Sequence, residues 1–127
     1  MLSKSTNQIE QIIGEVRALS VVLTSNEHNE NIDISHYANI TSLLLYLIKK
    51  ISNKTSHMIR EKLNNVNDKG GVLDVFLGYL EKSKSYLTIS LSSNLSNIDI
   101  ESHFNLISRL TCGIEESFNQ WCASNNT

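Results

Sequence analysis

The sequence predicts an all-α chain folded as an antiparallel four-helix bundle, and three features point there. Apolar residues recur at the three-and-four spacing of a helix face in four separate segments. The chain contains no proline, which long helices exclude and which sheet proteins spend on turns. Of its five glycines, two stand together as Gly70-Gly71 and punctuate the chain at one point. A length of 127 residues suits one domain over residues 1–127. With 40 % hydrophobic and 19 % charged residues it can bury a core without help from a metal or a disulfide.

The first helix is predicted over about 5–24. Ser5 followed by Gln8 is a capping-box pattern, and Ile9, Ile12, Ile13, Val16, Leu19 and Leu23 form one face. The linker Ser25-Asn26-Glu27-His28-Asn29-Glu30-Asn31 has no apolar residue and ends the element. A second, long helix is predicted over about 35–65, capped by Asp33 or Ser35. Its stripe is Tyr37, Ile40, Leu44, Leu47, Ile48 and Ile51, resuming at Met58, Ile59 and Leu63. Because residues 52–57 between these are polar, the helix is either continuous or kinked around 52–56.

Asn67-Asp68-Lys69-Gly70-Gly71 reads as a loop, and the third helix follows over about 72–91. Val72, Phe76, Tyr79, Leu80, Tyr86 and Leu87 share its face. The alternation in Thr88-Ile89-Ser90-Leu91-Ser92 resembles a strand, but an isolated strand has no pairing partner, so helix is expected. The fourth helix is predicted over about 99–122, with Ile100, Phe104, Ile107, Ile114, Phe118 and Trp121 inward. An internal echo joins the second and fourth helices. Asn31-Ile32-Asp33-Ile34-Ser35-His36-Tyr37 matches Asn97 to Phe104 with one inserted residue, and Ile40 and Leu43 continue into Ile107 and Leu110. Either the chain is two tandem αα-hairpins from a duplication, or caps and apolar stripes recur here as in any helical protein.

Charge and cysteine usage narrow the function classes. A net charge of −2 argues against a general electrostatic grip on nucleic acid or acidic lipid. One stretch, 49–69, is locally basic through Lys49, Lys50, Lys54, Arg60, Lys62 and Lys69, between two acidic segments. Cys112 and Cys122 on one helix would stand about 15 Å apart, too far for a disulfide. Residues 1–24 lack the apolar core of a signal peptide, and the longest apolar run, Leu43 to Ile48, is far too short to span a membrane. A cytoplasmic protein with reduced thiols is expected.

Chemistry has little support in the residues. His36 and His103 hold equivalent places in the echo, which would suit a metal pair or a proton-sensitive switch. Half-buried histidines near a cap are the plainer reading. His57 and Glu61, four apart, suit an ion pair better than half a metal site. Cys112 falls on the polar side beside Arg109 and Glu116, with no histidine at helical spacing to activate it. No cofactor, no metal and no enzyme activity are expected.

The outward-pointing feature is on the second helix. Leu43-Leu44-Leu45-Tyr46-Leu47-Ile48 is apolar on every side. Leu44, Leu47 and Ile51 point to the core, Leu43 and Ile48 lie at its edges, and Leu45 and Tyr46 are expected to point away. Lys49 and Lys50 flank them, while Leu77 and Ile89 on the third helix fall off their stripe and could extend the patch. Scattered surface apolars are the competing explanation. A non-enzymatic protein-binding role follows, as an inhibitor, immunity-type factor, chaperone or adaptor, with a homodimer as one form of it. The Asn/Ser/Ile/Lys-rich composition suits an AT-rich source such as a phage or bacterial mobile element. The alternative is a small dimeric nucleic-acid-associated regulator using the 49–69 stretch.

Overall fold

A computed structural model describes residues 2–25, 34–61, 71–92 and 100–125. They form four helices: α1 (Leu2–Ser25), α2 (Ile34–Glu61), α3 (Val72–Ser92) and α4 (Ile100–Asn125). No strand occurs among the described residues. Each helix packs on its neighbours in chain order, and α4 closes the ring by packing on α1. Contacts along the seams give the directions. Arg17 meets Glu115 while Ser20 meets Thr111, so α1 and α4 are antiparallel. Phe76 meets Phe118 while Tyr86 meets His103, so α3 and α4 are antiparallel too. One hollow lined by Leu44, Ile48, Ser83 and Leu87 joins α2 to α3, completing an up-down-up-down bundle.

The core is one cluster drawing on all four helices, with Trp121, Phe76, Phe104 and Phe118 its largest fully buried side chains. Aromatic rings occupy both ends. At one, Phe76 and Phe118 stand 5.4 Å apart and Phe118 and Trp121 6.2 Å, tilted as ring quadrupoles prefer. At the other, Tyr37 of α2 reaches Phe104 of α4 across the diagonal, at 5.1 Å. These two residues are equivalent in the sequence echo, so the echo's members meet face to face near the bundle axis.

Element boundaries differ from expectation in informative ways. Helical backbone begins at Leu2, so Ser5 lies inside α1 and is no cap. Ser35 is likewise helical, and Asp33 lies outside the described residues. The break around 52–56 does not occur: α2 runs unbroken to Glu61. Thr55 explains why, for its side chain is fully buried and its hydroxyl donates to the Ile51 carbonyl at 2.8 Å. A threonine so bonded presents its methyl to the core and leaves no polar group unmet. Ser52 accepts a hydrogen bond from Lys84 of α3 at 3.1 Å, so its polarity serves the seam. Residues 62–65, where α2 was expected to end, lie outside the described residues. The alternating 88–92 segment is helical to Ser92.

Two glycines have evident reasons. Gly71, at φ 72°, makes the left-handed step that opens α3. Gly113 sits mid-helix in α4 under the ring of Tyr79, whose Cδ1 and Cζ would lie 2.6 Å from an added Cβ. Alanine gains about 1 kcal/mol over glycine in a helix interior, but overpacking costs about 1–3 kcal/mol. Gly113→Ala is therefore expected to lower the urea midpoint in the wild-type background. With Tyr79→Ala already present, the same change should raise it; stabilisation in both backgrounds would show that the ring exerts no constraint.

Candidate functional site

The proposed outward residues do not form one surface. Leu45, expected to point away from the core, is buried at 9 % exposure and belongs to the core cluster. The reason is which flank α3 covers. Ser52 lies two turns beyond Leu45 on the same side of α2, and Ser52 is the residue bonded to Lys84. Leu45 therefore faces the α2–α3 seam. Leu77 is half-buried against the core. Tyr46 and Ile89 are exposed, but on different helices and facing different directions, and Lys49 and Lys50 are exposed on opposite sides of Tyr46.

A different grouping emerges on the α1–α2 face. Leu43, expected at the core's edge, is 45 % exposed, as is Val22 of α1. Gln8 shares one hollow with Asn53, Lys54, His57 and Met58, which sets the register between the helices. Fourteen residues on from Gln8, Val22 then stands near the level of Leu43, and each lies on the seam side of its helix. Ala18 and Tyr46 are the outermost residues between them, both exposed. The same register sets exposed Glu15 near the level of exposed Lys50, two turns away along the face. Arg17 pairs with Glu115 and Lys84 with Glu81, and Glu15 and Lys50 take part in neither pair. Val21-Val22 was the legible signal that sequence reasoning passed over: apolar residues off the α1 stripe, as Leu43 and Tyr46 are off that of α2.

The two echo histidines have unlike surroundings. His36 is exposed and its ring is 6.3 Å from that of Tyr37. His103 is buried between Tyr86 and Phe104, with Nδ1 2.6 Å from the Tyr86 hydroxyl and Nε2 without a hydrogen-bond partner among the described groups. Burial pushes the His103 pKa below its ordinary 6.5 and that of Tyr86 above its ordinary 10.0. Both groups are held neutral, and one proton bridges the Tyr86 oxygen and Nδ1, with the donor set by the imidazole tautomer. His36 and His103 form no shared site.

Other chemical groups are dispersed. Cys112 is exposed in an open groove of about 480 Å³ beside Tyr79, Lys82, Arg109 and Glu116. Cys122 is half-buried on another side of α4, its pKa raised by burial and then by the charge of Glu10. Both thiols are free. Among the described residues no three His, Cys, Asp or Glu side chains converge where an ion could sit. Lys49 and Arg60 lean to one side of α2 and Lys50 and Lys54 to the other, so the basic stretch does not make one stripe; Lys62, Lys69 and Gly70 lie outside the described residues. The side chain of Glu61, expected to pair with His57, is also outside them. No described helix is long and apolar enough to cross a membrane. Comparison with protein-family models, curated proteins and solved structures finds no match to this chain.

The His103 pair gives stability a pH dependence with a defined sign. Its native pKa lies below the unfolded value, so the unfolded chain binds more protons between the two. The contribution is whole above pH 6.5 and is lost as pH falls through that value toward the native pKa. His103→Leu is expected to flatten the stability profile below pH 6.5 in urea titrations. Tyr86→Phe alone should cost about 1–3 kcal/mol by stranding Nδ1, whereas Tyr86→Phe with His103→Leu should cost less than the two single changes summed. Strict additivity would show that the short contact carries no coupling.

Proposed function

We propose that this chain is a non-enzymatic binding protein, of the inhibitor, immunity-type, chaperone or adaptor kind, that acts by covering a partner's surface. The observation carrying this reading is the α1–α2 face, where Val22, Leu43 and Tyr46 are exposed together at one end. Apolar side chains exposed singly are ordinary, but a group with polar residues around it is the pattern of a contact surface. Tyr46, 59 % exposed and large, is the natural anchor, and Lys49 and Lys50 would steer an acidic partner toward it. The composition suits a phage or mobile-element source. Divergence of the basic side chains around α2 makes the nucleic-acid alternative the weaker one.

A photo-crosslinking amino acid in place of Tyr46, expressed in the native cell, tests the reading. A discrete crosslinked product is expected there and none from the same probe at Glu81, which is exposed on α3. Leu43→Glu should abolish the product. Equal, diffuse crosslinking from both positions would overturn the proposal.

A further inference from the structure

We infer that the occupant of the α1–α2 face is a second copy of this chain, related by a two-fold axis running parallel to the α1–α2 seam. The inference rests on the α1–α2 face being a contact surface, as proposed above, and names a second copy as what covers it. Such an axis lays α1 of one copy over α2 of the other at the same level, the two running antiparallel as they do within one copy. Residues that flank the seam at one level within a copy therefore face each other between copies. Val22 meets Leu43 of the second copy, and Leu43 meets its Val22. Two turns away, Glu15 meets Lys50 of the second copy and Lys50 its Glu15. One turn from the Val22–Leu43 pair, Tyr46 meets Ala18 of the second copy. The face is thus complementary to itself in both charge and apolar character.

An axis crossing the helices midway along them would instead lay the apolar end over the end bearing Asn7, Gln8 and Gln11, all exposed, and any crossing axis would move Glu15 away from Lys50. The available area is also adequate. At 1.5 Å per residue the 24 residues of α1 run about 36 Å, and two packed helices present a face about 20 Å wide. That approaches the roughly 800 Å² per partner of a standard specific interface.

Analytical ultracentrifugation of the pure full-length chain and its charge variants is the test. The wild type is expected at twice its 14.3 kDa mass. Glu15→Lys alone sets Lys against Lys at two places, and Lys50→Glu alone sets Glu against Glu, so each should weaken self-association by about tenfold or more. Mixed in equal amounts, the two variants should form a heterodimer, because every facing pair is then opposite in sign. Circular dichroism of the single variants checks that their helices are intact. A monomeric wild type, or a wild-type dimer whose charge variants do not recombine on mixing, overturns this inference. The binding role fails separately: it falls if the probe at Tyr46 captures nothing, and it survives a monomeric wild type if that probe captures a product of another mass.

Discussion

In a closed ring of four helices, each helix has one side toward the axis, two flanks covered by neighbours and a fourth side left bare. This constraint decides the fate of every apolar residue that departs from the core stripe. Leu45 departs toward α3 and is buried; Tyr46, one residue on, faces outward at 59 % exposure. Leu43 departs toward α1 but stands at the rim of the seam, where a neighbouring helix covers it only in part. The apolar run on α2 is therefore explained in pieces: most of it serves two seams and the axis, and the remainder is open to contact by another chain.

The same constraint accounts for the polar residues drawn inside. Thr55, Thr111 and Ser117 are buried on core-facing positions, and each hydroxyl is met by a carbonyl one turn back. Hydroxyls of this kind let a helix pack closely without leaving polar atoms unmet. His103 differs. Its Nδ1 is met from α3 by Tyr86, which ties two helices together through a side-chain bond. Its Nε2 and the hydroxyls of Thr41, Ser83 and Ser90 have no partner among the described groups.

Much of the architecture was legible because helix periodicity is local. Stripes from Ile9 to Leu23 and from Phe104 to Trp121 identify buried faces without knowledge of any neighbour, and these residues are buried or half-buried as expected. The misreadings arose where a decision depended on a second helix. Residues 52–57 leave a kink open beside the expected continuous helix because threonine and serine are polar on paper; Lys84 of α3 and the Ile51 carbonyl turn two of them into packing residues. Leu45 falls on the buried side, against expectation, because periodicity gives the angle around α2 but not which flank α3 covers. Histidine environments were illegible for the same reason. His36 and His103 share a register in the echo, yet only His103 has a tyrosine across the seam.

The grouping of Val22, Leu43 and Tyr46 separates into no single-helix signal at all, which is why a reading along α2 alone found only part of it. Val22 and Leu43 are off their own stripes by about a third of a turn and Tyr46 by nearly half a turn, offsets that a lone amphipathic helix tolerates at little cost. What makes Val22 and Leu43 significant is that their offsets have the same sense along each chain, so that antiparallel packing turns both toward the same rim. Val75, Val21 and Ile89 are exposed to a similar degree. Val21 faces the α1–α4 groove beside Arg17 and Glu115, and Val75 and Ile89 stand fourteen residues apart on α3, about 21 Å. Among the described residues, only on the α1–α2 face do two helices contribute exposed apolar residues at one level, with an acid and a base matched two turns away. That coincidence of register, rather than the hydrophobicity of any one segment, is what distinguishes a contact surface from the ordinary apolar fraction of a protein's exterior.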